Sequence, residues 1–342
     1  MAPEYVITRH DPAEFTDQEL AAGVRLYNTV EAEVWPEDPV TPVGDAIARS
    51  RAVPSTVGRT AFRAWSDGTL VGEVEVAVDS EHDDNPDLLT CQIIVRGEYR
   101  RQGVGTGLLE RVTEFARSHG RRRLVGKTYS RVPDGAQFAR RVGAVQKSES
   151  HTNHLPLAEV DRALLESWVR DGSQRAHGYE LLSWDDTVPD EHLGAFLDLL
   201  LVMNDAPTDD LELNDFTISP GQWRDVQAQA AAVGQQRWFL VARRSSDGAL
   251  AALHDLAWVP AFPQVMWTGS TGVRREDRGH ALGKWLKASM TLRVLAERPG
   301  VSDIRTDNAT SNEAMLSINH AMGYRPLFAI RHWELLVEKS QA

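Results

Sequence analysis

Two glycine-containing turns, each led by arginine, are the residues of this chain whose types and spacing point most directly to chemistry. The turns read Arg100-Arg101-Gln102-Gly103-Val104-Gly105 and Arg278-Gly279-His280-Ala281-Leu282-Gly283. An apolar-periodic segment follows each turn, which predicts a helix whose first backbone N–H groups are unpaired. Such a helix start binds phosphate when no bulky side chain blocks the approach. Gly103 and Gly105 leave that approach open, whereas Ala281 takes the place of a glycine in the second turn.

The two turns occupy the same points of a repeated segment. Arg278 lies 178 residues after Arg100, and Gly323 lies 180 residues after Gly143. The predicted strands and helices around the two turns also follow the same order, and each turn comes directly after a strand. A repeat of this length predicts an internal duplication of one domain.

The positions of the predicted elements suggest where the two copies meet. At 342 residues the chain is long enough for two domains, each with its own core. A predicted helix at 158–170 leads into a polar, glycine-bearing segment at 171–178 that lacks hydrophobic periodicity. We therefore predict an N-terminal domain at 1–157, a connecting helix and linker at 158–178, and a C-terminal domain at 179–342. Both predicted domains contain helices as well as strands.

Composition excludes several classes of protein. The chain has 42% hydrophobic and 25% charged residues and a net charge of −12. The acidic excess argues against a nucleic-acid partner, and no apolar run approaches the ~20 residues that span a bilayer. The N-terminus lacks the features of a secretion signal, so we expect a cytoplasmic protein. The single cysteine, Cys91, lies in an apolar strand pattern and is expected to be buried rather than reactive; no metal site is expected.

An acidic segment lies between Arg175 and Arg224. It contains no lysine or arginine and carries eleven acidic residues. One interpretation is a solvated helix face and loop. The other is a funnel that attracts a cationic substrate.

Around the glycine turns the chain resembles the GNAT N-acetyltransferases. The segment 94–109 is similar to that family's acetyl-CoA signature, in which an arginine or glutamine leads a glycine turn after a splayed strand. The segment 271–324 looks like the C-terminal half of tandem GNAT proteins of the mycothiol synthase type. The resemblance implies the α/β fold class with a mixed (α+β) sheet, in the form of two tandem GNAT-like acyl-CoA-binding domains with a splayed central sheet. It also implies acyl transfer from acetyl-CoA to a small primary amine. If the acidic segment is a funnel, it would attract such an amine in its cationic form.

The resemblance further implies which residues hold acetyl-CoA, with the pyrophosphate on the turns and the pantetheine in the split of the sheet. In the first domain the implied residues are Val95, Arg100, Arg101, Gln102, Gly103, Val104, Gly105 and Thr106. In the second domain they are Val273, Arg278, Gly279, His280, Ala281, Leu282, Gly283, Asn308 and Asn312.

In the resembled family a carboxylate on the fourth strand often acts as the general base. Asp255 stands there in the second domain, with His254 beside it. Successive strand residues point to opposite faces, so only one of the two can face the cleft. We favour Asp255 as the general base. His254 is the other candidate, because the pKa of histidine is ordinarily near neutral. A structural role as a satisfied polar residue is the alternative for both. Glu73 and Glu75 are the counterparts in the first domain.

The family's usual general acid is a tyrosine four residues before the glycine that ends the last helix. Ala139 and Asn319 occupy those positions. Neither donates a proton as tyrosine does, and Asn319 is assigned to the catalytic site as a hydrogen-bond donor to the cofactor or its sulfur. Helix capping is the alternative role for the nearby asparagines Asn308 and Asn312.

The two domains differ in these features. The first has the cleaner glycine turn, but the second has the asparagine pattern, Asp255 and the acidic segment. We therefore expect catalysis in the second domain, with the first as a cofactor-binding or structural copy. An alternative of a different class is a non-catalytic acyl-CoA-binding sensor or assembly protein, because both tyrosines are missing. The sequence does not identify the amine or the oligomeric state.

Overall fold

Two structural units, built from helices and strands in nearly the same order, make up residues 4–337, which the computed structural model describes. The first unit contains residues 4–149, 209–214 and 329–337, and the second contains residues 150–208 and 215–328. No helix among these residues is both long and apolar enough to cross a membrane.

The first half of the chain forms seven strands and four helices within the described residues. In chain order they are β1 (Val6–His10), α1 (Asp17–Val34), α2 (Val43–Arg51), β2 (Val57–Ser66), β3 (Thr69–Asp79), β4 (Leu88–Thr90), β5 (Ile94–Val95), α3 (Val104–Ser118), β6 (Arg123–Tyr129), α4 (Pro133–Arg141) and β7 (Val145–Pro156). A capping box starts α1, in which Thr16 and Glu19 each accept a hydrogen bond from the other's backbone N–H.

The strands of the first unit separate in the middle of the sheet. Strands β1, β2, β3 and β5 form one antiparallel sheet, in which Gly72 pairs with Val95. Strand β4 instead pairs in parallel with β6, from Leu88 opposite Arg123. The chain therefore changes partner between Thr90 and Ile94, and a gap opens between β5 and β6. The predicted fold class, with its split sheet, is confirmed.

The second half of the chain repeats this plan after a connecting helix. Its elements are α5 (Arg162–Arg175), β8 (Tyr179–Asp185), α6 (Asp190–Leu200), α7 (Pro220–Ala231), β9 (Gln236–Arg244), β10 (Leu250–Trp258), β11 (Val265–Val273), α8 (Leu282–Glu297), β12 (Asp303–Ala309), α9 (Glu313–Met322) and β13 (Arg325–Leu336). Helix α5 packs on α8, where a Cβ on Gly172 would lie 2.7 Å from the side chain of Trp285. It continues to Arg175, so part of the segment predicted as a linker is helical.

The sheet of the second unit has the order β7-β12-β11-β10-β9-β8. Strand β11 pairs in parallel with β12 only as far as Trp267 opposite Arg305. Its antiparallel pairing with β10 continues to Val273, which lies opposite Ala252. The second unit is therefore also split, on the carboxyl side of Trp267.

The last strand of each half completes the sheet of the other structural unit. Residues 330–336 of β13 pair antiparallel with β6 in the first unit. Residues 150–156 of β7 pair antiparallel with β12 in the second unit. The domain boundaries 1–157 and 179–342 were drawn from the sequence repeat and stay a prediction. A sequence repeat contains no information about which strands pair over long range.

Candidate functional site

The first glycine turn forms an open helix start. Arg101 and Gly103 both have left-handed backbones, with φ of 62° and 91°. Gly103 is the N-cap of α3 and provides no capping side chain. The first N–H groups of α3 are therefore not capped by the preceding side chain, and the positive end of the helix dipole faces the same way. This geometry suits a phosphate.

The second glycine turn has the same backbone shape, but its glycine is the first of the two left-handed residues rather than the second. Gly279 and Ala281 are left-handed, with φ of 88° and 60°, and Ala281 is the N-cap of α8. Each turn thus has two left-handed residues, of which one is glycine. A left-handed residue with a Cβ is strained by roughly 1–2 kcal/mol, so the strain falls on Arg101 in one turn and on Ala281 in the other.

The leading arginines hold the turns in place through ion pairs. Arg100 donates to both carboxylate oxygens of Glu33, at 2.6 and 2.8 Å, and to the carbonyl of Val95. Arg278 likewise donates to Asp205, at 2.6 Å, and to the strand carbonyl of Val273. Since these charges are already neutralised, both arginines position the turn more than they attract phosphate.

Arg101 differs from its neighbours because 60% of its side chain is exposed. It donates to Gln137 at 2.9 Å and lies 3.5 Å from Asp134. Gln102 turns away and donates to the carbonyl of Glu98, whereas the side chain of Val104 is buried against Gly72. Of the cofactor residues predicted in this turn, Arg101 therefore has the charge best placed to contact an anion.

A cavity of about 390 Å³ lies in the first unit, in the gap where its strands separate. Helix α1, the segment 91–95, the glycine turn, β6, α4 and the end of the chain contribute to its walls. The structure brings together six of the eight cofactor residues predicted in this half around the cavity. They are Val95, Arg100, Arg101, Gly103, Gly105 and Thr106.

The walls of the cavity are mainly apolar. Cys91 lies in the wall, and burial raises the pKa of its thiol to about 12, so the thiol stays protonated near neutral pH. Trp333 closes another side and donates from its indole nitrogen to Thr128 at 2.8 Å. Ala139, at the position of the missing tyrosine, also lines the cavity. The surroundings suit an apolar, extended ligand arm.

Glu31 contributes a carboxylate to this cavity from α1. Burial raises its pKa, although a hydrogen bond from Tyr27 and the charge of Lys127 oppose the shift. Sequence reasoning missed both Glu31 and Trp333, since neither belongs to a motif. The spacing of Tyr27, Glu31 and Val34 on one face of α1 was the signal that could have identified the carboxylate.

In the second unit, Asp255 forms a closed structural contact. Its side chain is fully buried and accepts a hydrogen bond from Arg237 at 2.7 Å. Its other oxygen accepts from the backbone N–H of Ser270 at 2.9 Å, across a register shift between β10 and β11. A Cβ on Gly269 would lie only 2.1 Å from the Asp255 carboxylate. The aspartate thus stabilises the irregular strand, which favours the structural alternative for this residue.

His254 is also enclosed, with 2% of its surface exposed. One ring nitrogen lies 2.8 Å from the hydroxyl of Thr271. Burial, followed by the charge of Lys287, lowers the pKa of His254 well below its usual value. The ring is therefore neutral at physiological pH and almost fully enclosed.

The asparagines of the second unit bond mainly to one another and to the backbone. Asn319 is fully buried and donates to Asn308 at 2.8 Å. Asn312 caps α9 by accepting from the N–H of Met315. The side-chain oxygen of Asn319 and the amine of Lys287 are buried without a hydrogen-bond partner. Asn312 is therefore a helix cap, while the partly buried Asn308 is hydrogen-bonded to the buried Asn319.

The other residues predicted to bind cofactor in the second unit surround its turn. His280 lies 3.2 Å from the carbonyl of Asp277. Leu282 is buried, and a Cβ on Gly283 would lie 3.9 Å from Val273. Part of the acidic segment is neutralised locally rather than free to attract a cation. Its ion pairs are Glu180 with Arg243, Asp185 with Arg293, and Asp205 with Arg275 and Arg278.

Residues 20–143 match the Acetyltransferase (GNAT) family. The match runs from α1 to the glycine after α4, and it includes the first glycine turn and most of the residues around the cavity. No curated protein sequence is significantly similar to the chain.

Solved structures with a similar fold cover nearly the whole chain. A tandem GNAT protein from the clavulanic acid biosynthesis pathway, without AcCoA, is 23% identical with a TM-score of 0.77, over 99% of this chain and 100% of that one. A GCN5-related N-acetyltransferase from Sphaerobacter thermophilus is 14% identical with a TM-score of 0.65, over 97% and 96%. A putative acetyltransferase from Pyrococcus horikoshii is 14% identical with a TM-score of 0.53, over 98% and 90%. Residues 20–143 are therefore similar to a domain of the Acetyltransferase (GNAT) family, and the whole chain has a fold similar to that of a tandem GNAT protein.

Proposed function

We propose that the chain is an acetyl-CoA-dependent N-acetyltransferase that acts on a small primary amine. We further propose that acetyl-CoA binds in the first unit. The observation that carries this proposal is the cavity of about 390 Å³ in the split of the first sheet, which begins at an open helix start. The phosphates would meet the N–H groups of α3 and Arg101, and the apolar walls would hold the pantetheine arm.

This proposal moves the reaction from the second unit, where the sequence pattern places it, to the first. The reason is accessibility: an amine must lose a proton to a group that it can reach. Asp255 is fully buried and paired with Arg237, and His254 and Asn319 are almost equally enclosed. The second unit then serves mainly as a structural copy of the fold.

The fit of the cofactor is tested by a matched pair of variants, Gly105→Glu and Gly283→Glu. Both glycines lie in the first turn of a helix, where a carboxylate is favourable for the helix itself. Their added Cβ atoms would meet neighbours at 3.4 and 3.6 Å, so both sites have similar room. A carboxylate at the phosphate site should repel the pyrophosphate.

Calorimetric titration with CoA checks this. We expect Gly105→Glu to weaken binding at least about 10-fold, since each 1.4 kcal/mol is a factor of ten, and Gly283→Glu to bind as the wild type does. The opposite pattern would return the cofactor to the second unit.

A second candidate, a non-catalytic acyl-CoA sensor, is favoured by Ala139. This residue lines the cavity where the resembled family has its proton-donating tyrosine, and its side chain has no donor. Release of free thiol from acetyl-CoA in the presence of primary amines separates the two functions. A protein that binds CoA and releases no thiol with any amine is a sensor rather than an enzyme.

A further inference from the structure

The two faces of the first sheet are occupied by different helices. On β3, Gly72 faces α3, because a Cβ there would lie 2.9 Å from Val104. The next residue, Glu73, faces α1, because its carboxylate lies 3.5 Å from a Cβ built on Gly23. Successive strand residues point to opposite faces. Helices α1 and α3 therefore lie on opposite sides of the sheet.

The same alternation on β6 shows how the cavity joins these two sides. Thr128 faces α4, since a Cβ on Gly135 would lie 3.2 Å from it. Lys127 and Tyr129 then point to the α1 side, where they interact electrostatically with Glu31 and Tyr27. Residues from both faces line one cavity, so the cavity passes through the gap between β5 and β6. A ligand held by the turn of α3 leaves the α1 side open to a second reactant.

Two carboxylates line the cavity, and they differ in their partners. Asp134 lies 3.8 Å from Arg100 and 3.5 Å from Arg101, so arginine offsets its charge. Within residues 4–337, Glu31 forms no salt bridge with an arginine or lysine, and the groups that act on its charge are the Tyr27 hydroxyl, one turn earlier on α1, and Lys127 of β6. The charge of Lys127 offsets only part of the effect of burial, since the pKa of Glu31 is raised, and a partly buried carboxylate without a salt bridge attracts a cationic ligand.

We propose that Glu31, oriented by the Tyr27 hydroxyl, binds the ammonium group of the acceptor on the α1 side of the cavity and removes one of its protons. This inference rests on the proposed function, since it needs acetyl-CoA in the same cavity. It makes the acceptor a small amine that is cationic in solution, and it makes Glu31 a catalytic residue that no motif of the chain contains.

The proposed step balances in protons and electrons. The ammonium gives one proton to the Glu31 carboxylate, and the free amine attacks the thioester carbonyl carbon. A C–N bond forms and the C–S bond breaks. The second proton of the nitrogen goes to the departing thiolate, which leaves as the thiol, and Glu31 releases its proton to solvent. The raised pKa of Glu31 brings it closer to neutral pH, where a general base is most effective.

The test compares Glu31→Gln and Tyr27→Phe with the control Glu114→Gln. Glu114 is an exposed carboxylate on α3, paired with Arg111 and absent from the cavity. The full-length proteins are assayed for CoA binding by calorimetry and for thiol release with ethanolamine, putrescine, glucosamine and glycine. We expect Glu31→Gln to lose about 100-fold or more of kcat/KM for the amine, while its Kd for CoA stays within about twofold. Tyr27→Phe should lose less, and Glu114→Gln nothing.

A pH–rate profile distinguishes catalysis from a structural role. The groups that act on the charge of Glu31 are Tyr27 on its own helix and Lys127 on β6; Tyr129 of β6 and Arg49 of α2 act on Tyr27. The wild-type rate should rise with pH as Glu31 loses its proton, and this limb should disappear in Glu31→Gln. A variant that is uniformly slower but keeps the limb, or that is as active as the wild type, overturns the inference.

Failure of this inference can be separated from failure of the proposed function. If the wild type binds CoA and acetylates an amine while Glu31→Gln does so equally well, only the role of Glu31 is wrong. If the wild type neither binds CoA nor releases thiol with any of the four amines, the proposed function is wrong and the role of Glu31 is wrong with it.

Discussion

The first and second glycine turns share a backbone shape but have different surroundings. Both place two left-handed residues before a helix, and both tie a leading arginine to the preceding strand. Beside the first turn lies a cavity with the carboxylate of Glu31, which forms no salt bridge within the described residues. In the second unit the predicted catalytic side chains Asp255, His254 and Asn319 are buried, and each is hydrogen-bonded to a neighbouring residue. A duplicated motif therefore preserves the local geometry of a phosphate site, whereas the packing around it decides whether chemistry is possible.

The largest expected effect comes from Asp255→Ala. Loss of this carboxylate leaves Arg237 unpaired and frees the backbone N–H of Ser270. Breaking a buried pair from one side costs about 3–5 kcal/mol, and we expect that loss in the free energy of unfolding measured by urea denaturation. The control is Glu180→Ala, which removes an exposed pair with Arg243.

In the folded fraction of Asp255→Ala, CoA affinity should be unchanged. A variant of normal stability that loses turnover would instead make Asp255 catalytic and reverse the comparison between the two units.

The next effect concerns Lys287 and depends on pH. Burial lowers the pKa of Lys287 to about 8, below its ordinary value, and its amine has no hydrogen-bond partner. Below pH 8 both the folded and the unfolded chain bind this proton, and the folded state carries the full cost of the buried charge. Between about pH 8 and 10.5 the unfolded chain alone keeps the proton, so stability rises with pH.

We therefore expect Lys287→Met to stabilise the protein at pH 7 by about 3 kcal/mol and to remove this rise. Urea denaturation across the pH range measures both changes. A destabilised methionine variant would indicate that contacts of the buried amine, such as that with the ring of Tyr324, outweigh the cost of burying its charge.

A smaller effect is expected from Trp333→Phe, which tests whether the final strand belongs to the site of the first unit. The substitution keeps an aromatic wall but removes the hydrogen bond to Thr128. Leaving that hydroxyl without its donor should cost about 1–3 kcal/mol of stability and weaken CoA binding by a few-fold. Leu336→Ala, at a position 68% exposed, is the control and should change neither quantity.

The smallest effect is expected from Ala281→Gly. The glycine relieves the left-handed backbone at this position, where φ is 60°. We expect a gain of about 1 kcal/mol, seen as a rise in melting temperature of about 2–4 °C. CoA binding should not change. Stronger CoA binding by this variant would mean that the second turn also holds phosphate.

The sequence predicted the features that are local in the chain. The turns, the helices after them and the duplication follow from glycine placement and hydrophobic periodicity. The split of the sheet followed from the resemblance. The pairing of β6 with β13 could not be predicted, because the paired residues lie about 200 residues apart. The ion pair of Arg100 with Glu33, 67 residues earlier, and the position of Glu31 opposite β6 could not be predicted either. These depend on tertiary packing, which spacing alone does not reveal.

The pairing of the chain's last strand with β6 also constrains how the protein is made. The hydrogen bond between Trp333 and Thr128 spans 205 residues, so the wall of the first cavity forms only after β13 has been synthesised. Until then the edge of β6 that receives β13 stays open, and an open strand edge is a template for aggregation. A stop codon before Ala329 would therefore produce a chain that includes every residue of the GNAT family match and still lacks a finished first domain.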